Sequence, residues 1–297
     1  MSKNRIAIAL RPKVIAADEI VKLAKLADQS NVSNIFIPDL PFGYDSLELS
    51  AACLGVSSEL FVGSGVMRPL EHNEKQLLRR LETLQALSAN RFTLGIGTGD
   101  PGPDPKKTVE AMLAMLRRLK QGFSEPRNFP RTFIATLRKG IARKVASDCD
   151  GILLNFCSAG YAGSVVNAVK ESSSKPIEFA CYLKVFYSAS ESDAKRAMIE
   201  EFARYNSIPH YSKMFAQNGI LGDIVRAKAG LATNSPETTH GLLEVCPVNP
   251  SIGELGAHVE KFRNQGISLP AVYPYFGPND DYEYKAKTVK EIITATG

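Results

Sequence analysis

The chain has 297 residues, 44% hydrophobic and 23% charged, with a net charge of +5. That is the composition of an ordinary globular protein, sized for one large α/β domain or two average ones. No apolar run approaches the roughly 20 residues that span a bilayer, and the N-terminus leads straight into a strand rather than a signal peptide, so the expected location is the cytoplasm.

The expected strands, in chain order, are Arg5–Leu10, Asn34–Pro38, Leu60–Ser64, Phe92–Ile96, Thr132–Thr136, Gly151–Asn155, Glu178–Val185 and Leu269–Tyr275. Each is a short, nearly continuous apolar run, as in a parallel sheet buried on both faces. Helical periods lie between them. Leu77, Leu78, Leu81, Leu84 and Leu87 form one stripe, Val109, Met112, Leu113, Leu116 and Leu119 a second, Ile252, Leu255, Val259 and Phe262 a third, and Tyr282, Ala286, Val289, Ile292 and Ile293 a fourth; all are expected to face the core. Eight such units predict a single α/β domain over residues 1–297, a (β/α)₈ TIM barrel, with a helical insertion at 187–239. An open doubly wound sheet is the rival, weakened because no GxGxxG follows the first strand. Cys53, Cys149, Cys157, Cys181 and Cys246 form no CxxC pair and the four histidines are scattered, which predicts buried free thiols and no metal site. The spread of Lys and Arg suits an anionic cofactor or substrate, and no nucleic-acid motif accompanies it.

Ligands of α/β proteins bind at the C-terminal ends of strands, so those ends hold the candidates. Strand two ends at Asp39, held between prolines, which either meets a ligand or caps the following helix. Strand three ends in Gly63-Ser64-Gly65-Val66-Met67-Arg68, where two glycines around a serine signal a bulge and close packing against main chain. Strand four opens into Gly97-Thr98-Gly99-Asp100, where the missing Cβ atoms let backbone approach a ligand. Strand five gives Thr136 and then Arg138 and Lys139 at a helix start; strand six gives Cys157 and Ser158. These two ends are candidate anion cradles. The stretch from Tyr205 to Phe215 is either a packed helix with Pro209 in its first turn or a substrate lid with Tyr211 or Lys213 facing inward, and Tyr273 to Phe276 closes strand eight at the mouth.

Together, Ile37-Pro38-Asp39, Asp45 to Leu54, Leu60 to Val66, Thr83 to Gly99 and Cys149 to Leu154 resemble, in order and spacing, the bacterial-luciferase-like family of flavin- and deazaflavin-dependent oxidoreductases. The match runs from about residue 5 to residue 160 and is loose beyond. The resemblance implies a TIM barrel with the ring cofactor at its C-terminal mouth and a non-prolyl cis peptide at Gly65-Val66. It implies that Asp39 touches the cofactor, that Thr98 and Gly99 meet its ring through backbone, and that Asp100 stands where sugar-phosphate dehydrogenases carry a glutamate acid/base. Those enzymes also carry a histidine where Leu40 follows Asp39 here, and tryptophan is absent from this chain. The resemblance is therefore nearest the plainer reductases of the type that act on methylenetetrahydromethanopterin.

The expected activity is hydride transfer between coenzyme F420 and a small organic substrate, with Asp100 and Asp39 as candidate catalytic residues. Asp39, Ser64, Gly65, Val66, Arg68, Gly97, Thr98, Gly99, Thr136, Arg138 and Ser158 are the candidate cofactor contacts. Alternatives are an FMN-dependent monooxygenase of the same fold and a non-catalytic barrel. Relatives often pair through barrel helices, so a homodimer is expected; no membrane partner is.

Overall fold

The structure, a computed structural model, describes residues 5–99, 102, 104–232 and 238–297. Eight strands form a closed parallel barrel in chain order: β1 (Ile6–Ala9), β2 (Val32–Ile37), β3 (Phe61–Ser64), β4 (Phe92–Ile96), β5 (Arg131–Ala135), β6 (Gly151–Asn155), β7 (Glu178–Phe186) and β8 (Leu269–Tyr275). Closure removes any unpaired sheet edge. The ring of helices comprises α1 (Ala17–Asp28), α2 (Ser46–Gly55), α3 (Glu74–Ser88), α4 (Pro105–Gly122), α5 (Lys139–Val145), α6 (Ala159–Lys170), α7 (Glu191–Asn206), α8 (Pro209–Gln217), α9 (Leu221–Ala232), α10 (His240–Val245), α11 (Ile252–Asn264) and α12 (Tyr282–Thr296). The insertion between β7 and β8 thus supplies α7, α8 and α9, with α10 following.

Local chemistry sets the helix starts. Asp45 accepts from the N–H groups of Leu47 and Glu48 at 2.8 and 3.1 Å, and so caps α2 itself, which leaves Asp39 free of that duty. Asn73, Ser158, Ser251 and Asp281 cap α3, α6, α11 and α12 in the same way. α3 ends where Ala89 and Asn90 turn left-handed, with φ of 50° and 64°. The expected stripes bury their middles: Leu77, Leu81 and Leu84 lie in the core. Two stripe members do not. Leu87 is 78% exposed because the buried face of α3 runs through Leu77, Leu81, Leu84 and Ser88 and passes it by, and Ile252, in the first turn of α11, is 45% exposed.

Strand register decides what fills the barrel. Phe36 lies opposite Gly63, and Phe133 lies opposite both Gly95 and Gly151. The Phe133 ring takes the space at Gly151, Thr93 crowds Gly63, and in the interior Phe36 meets Phe133 and Tyr182 edge-on. At the N-terminal end, Glu178 receives Arg5 at 2.7 Å and Arg131 at 2.8 Å, and Arg5 also donates to Asn34. This paired polar layer closes the floor.

The C-terminal mouth is uneven. On β3, β4 and β5 the inward positions are Gly65, Gly97 and Ala135, whereas on β6, β7 and β8 they are Asn155, Lys184, Tyr273 and Tyr275. Half of the rim is therefore bare main chain and half is a wall of large polar side chains. The bare half is tightly built. A Cβ on Gly95 would stand 2.1 Å from the Ser64 carbonyl oxygen, a main-chain atom that cannot swing aside. Gly95→Ala is expected to cost at least about 2 kcal/mol, as overpacking a rigid site does; urea unfolding of the variant beside the parent protein measures it.

Candidate functional site

Beyond Ser64 the chain kinks through a cis peptide between Gly65 and Val66 and then rejoins β4. Gly65 N–H donates to the Ile37 carbonyl at 2.8 Å, Met67 N–H to Gly95 O at 2.9 Å, and Gly97 N–H to Met67 O at 2.9 Å. The detour places Val66 over Gly97, where a Cβ would meet a Val66 methyl at 2.8 Å. Tyr182 reaches across the barrel to donate to Gly65 O at 3.0 Å, filling the volume that a side chain at position 65 would need. Gly99 has a φ of +65° and lies against the methylenes of Arg68. Arg68 in turn donates to Asp39 at 3.2 Å and pairs with Glu71 at 3.0 Å. Burial pushes the Asp39 carboxyl above the usual carboxylate range, against the Ser46 hydroxyl and the Arg68 charge, which pull it down.

The expected residues thus fall into distinct places. Asp39, Gly65, Val66, Arg68, Gly97, Thr98 and Gly99 gather at the ends of β2, β3 and β4. Ser64 does not face that space: it is fully buried, and its hydroxyl donates to Gly95 O at 2.8 Å and accepts from Gly95 N–H at 3.1 Å, as a strut between strands. Thr136 accepts from the Arg138 N–H at 3.2 Å within its own turn. Asp100 lies outside the described residues.

Arg138 and Ser158 belong to a second, neighbouring space. A cleft of about 670 Å³ opens between the N-terminal ends of α5 and α6 and the side of α8, lined among others by Arg138, Lys139, Ser158, Tyr161, His210 and Lys213. Ser158 caps α6 by accepting from Tyr161 N–H and also donates to Asn218, which ties α8 to the barrel. Arg138, Lys139 and Lys213 are exposed and face no carboxylate among the described residues. Three uncompensated cations beside a helix N-terminus make the cleft an anion trap. Lys213 and His210 were visible in the sequence only as part of an odd polar and aromatic stretch. Their partnership with Arg138 is created by the fold of α8 back onto α5 and α6.

The polar half of the mouth carries groups that motif reading missed. Lys184 is wholly buried on β7 and donates to Glu201 of α7 at 2.6 Å. Glu201 also accepts from Arg204 at 2.8 and 3.0 Å and from the Tyr275 hydroxyl. The Lys184 ammonium stands 3.8 Å from the centre of the Tyr205 ring and 4.3 Å from that of Phe156. Burial pushes the Tyr205 hydroxyl up, but the Lys184 and Arg204 charges and the Asn155 hydrogen bond together hold the group below its ordinary value. Asn155 donates to the Tyr211 hydroxyl at 2.8 Å, so Tyr211 packs inward from α8 while Lys213 faces the cleft. The signal for Lys184 was a lone lysine inside an apolar strand, a position that solvent cannot explain.

This cluster has a pH signature. Burial penalises Glu201, but Lys184, Arg204 and Arg11 more than reverse that and hold it at about 2, below its ordinary 4.5. A depressed carboxylate stabilises the fold above its unfolded value and loses that contribution as pH falls through the folded one. Stability of about 3 kcal/mol is expected to disappear between about pH 4.5 and about pH 2. Replacing the pair together, Lys184→Met with Glu201→Leu, flattens that slope, whereas Glu201→Gln alone strands a buried ammonium and costs about 3–5 kcal/mol at neutral pH. Denaturant midpoints across the pH range read both.

A family model of luciferase-like monooxygenases matches residues 1–236. Among solved structures, the coenzyme F420-dependent tetrahydromethanopterin reductase from Methanopyrus kandleri aligns over 98% of this chain and 99% of its own, with a TM-score of 0.73 at 13% identity. An F420-dependent secondary alcohol dehydrogenase bound to an F420–acetone adduct aligns over 100% of both chains, TM-score 0.76 at 11% identity. The FMN-bound oxygenating constituent of 3,6-diketocamphane monooxygenase from Pseudomonas putida aligns over 99% of this chain and 97% of its own, TM-score 0.64 at 12% identity. No curated protein sequence matches. These likenesses agree with the barrel described above, and the family match over most of its length identifies the chain as a member of the luciferase-like monooxygenase family.

Proposed function

We propose that this protein is a hydride-transferring oxidoreductase that uses coenzyme F420, with a small organic substrate. One observation carries the reading: the kink after β3 seats Val66 on Gly97 and packs Arg68 on Gly99, where it reaches the partly buried Asp39, all on one side of the barrel mouth. The residues present fit a flat ring there, because Val66 on its glycine main chain forms a low aliphatic shelf against which a planar ligand can pack. The cationic cleft lies on the neighbouring β5 and β6 side and fits the negatively charged tail of that coenzyme. When bound, coenzyme F420 supplies hydride exchange at C5 of its deazaflavin.

The chain's own residues then do the positioning. Val66, held over Gly97, would back the ring, and Thr98 and Gly99 would offer it backbone groups. Asp39, fixed by Arg68, is placed to accept from a ring N–H, and its raised proton affinity suits a group that holds or releases a proton. Asp100 follows this turn in sequence and is the second carboxylate of the reading. Arg138, Lys139 and Lys213 hold the tail, and the wall of Tyr182, Tyr273 and Lys184 keeps water from the opposite side. FMN is the second reading. The family match and the FMN-bound neighbour favour it, and Arg138 with Ser158 would satisfy its single phosphate.

Titration of the purified protein with F420 and with FMN, followed by absorbance, tests the choice. F420 is expected to bind at micromolar concentration and FMN at least tenfold more weakly. Tight FMN binding without F420 affinity reverses the ranking, and binding of neither supports a non-catalytic barrel. Arg138→Gln combined with Lys213→Gln is expected to weaken F420 binding about tenfold or more and to flatten its salt dependence, since each lost contact to an anion is worth on the order of 1 kcal/mol.

We also propose that two copies pair through α2 and α3. A groove of about 410 Å³ between these helices is lined by Leu47, Ala51, Leu84 and the exposed Leu87, with Glu48 on its α2 side and Arg79 and Arg80 on its α3 side. A two-fold axis brings acid to base in both directions. Leu87→Glu is expected to shift the sedimenting species from dimer to monomer with circular dichroism unchanged.

A further inference from the structure

Arg11 stands just past the end of β1, on the same parity as Ala7 and Ala9, which face the barrel interior opposite Asn34 and Phe36. Its guanidinium lies 4.6 Å from the centre of the Tyr275 ring. A stacked guanidinium turns its N–H groups outward in the ring plane, where a planar acceptor can meet two of them at once. None of those donors has a protein acceptor among the described residues, and Nε is buried without a partner. The nearest acid, Glu201, is fully used: Oε1 accepts from Lys184, Arg204 and Tyr275, and Oε2 from Arg204.

Charge leads to the same place. Arg11, Lys184 and Arg204 surround a single carboxylate, Glu201, so the polar half of the mouth carries two uncompensated positive charges. Arg204 is half exposed and solvated, which leaves one buried positive charge in excess, and that excess beside low-dielectric aromatic walls is costly unless an anion joins it. The cleft lined by Arg138 and Lys213 lies elsewhere, near α8, and shares no residue with this cluster.

We propose that Arg11 is the binding residue for a carboxylate on the substrate, and hence that the substrate class is a small organic acid. The acid group pairs with the in-plane donors of Arg11, and the rest of the molecule lies across the mouth toward Gly65 and Gly97. As a statement about substrate, this rests on the reading of the glycine-lined half as the seat of the redox ring. Lys184 and Arg204 are positioning residues that hold Glu201 and Tyr275, and so hold the platform on which Arg11 stacks.

The test uses matched acids and amides: benzoate with benzamide, and butyrate with butyramide, titrated by saturation-transfer NMR into the full-length protein with and without F420. Each acid is expected to bind at least tenfold more tightly than its amide. Arg11→Gln is expected to erase that preference, Arg11→Lys to keep part of it, and Arg117→Gln, on the outer face of α4, to leave it intact. Equal affinity for acid and amide in the parent protein, or a preference that survives Arg11→Gln, overturns the proposal. Should Arg11→Gln not fold, the acid-to-amide ratios of the parent and of Arg11→Lys still decide. Acid preference lost with Arg11 in a protein that ignores F420 keeps this binding site and removes the redox reading. F420 binding without acid preference does the reverse.

Discussion

Main-chain contact between β3 and β4 is the constraint from which the rest of the mouth follows. The Ser64 hydroxyl both donates to and accepts from Gly95, and the Ser64 carbonyl crowds the space where a Gly95 side chain would start. Strands this close cannot pass a side chain between them, so the chain after Ser64 must step out and return. It does so through the cis peptide at Gly65-Val66 and re-enters the ladder at Met67. That detour sets Val66 above Gly97, lays the Arg68 methylenes under Gly99, and brings the Arg68 guanidinium to Asp39. Three strand-end features thus share one cause.

The opposite half of the mouth is organised by electrostatics. A lysine wholly buried on a central strand is tolerated because Glu201 accepts from it at 2.6 Å and aromatic faces surround it. Because Glu201 comes from α7, the ion pair also docks the insertion onto the barrel, with Asn155 and Tyr211 adding a neighbouring link from α8. A buried ion pair is a poor source of net stability but a strict orienting device, since breaking either half leaves an unpaired charge. The barrel therefore has one side of tightly packed main chain and small side chains and an opposite side of charged and aromatic ones.

Much of the fold was legible along the chain. Each expected strand appears within two residues of its place, since parallel strands buried on both faces leave continuous apolar runs. Gly97 and Gly99 showed the bare turn after β4, and the glycines around Ser64 the kink after β3. Other features were invisible. Ser64 looked like a ligand contact and is an internal strut, because a serine's partners depend on strand spacing that sequence does not report. Leu87 continued a core stripe yet faces outward, because the buried face of α3 takes Ser88 instead. Lys184 and Arg11 carried no motif, lying 173 residues apart on strands that only barrel closure brings near one another.

By itself, then, the sequence determined what depends on neighbours along the chain: strand and helix identity through hydrophobic period, helix starts through Asp45, Asn73, Ser158 and Ser251, and glycine placement at the ends of β3 and β4. Tertiary structure alone decided which charges meet. Glu201 with Lys184, Arg68 with Asp39, and Lys213 with Arg138 and Ser158 are pairings or groupings between separate elements. The reason is range. Backbone preference and period act over a few residues, whereas an ion pair or a cleft exists only once closure of the eight strands has set the distances between their ends.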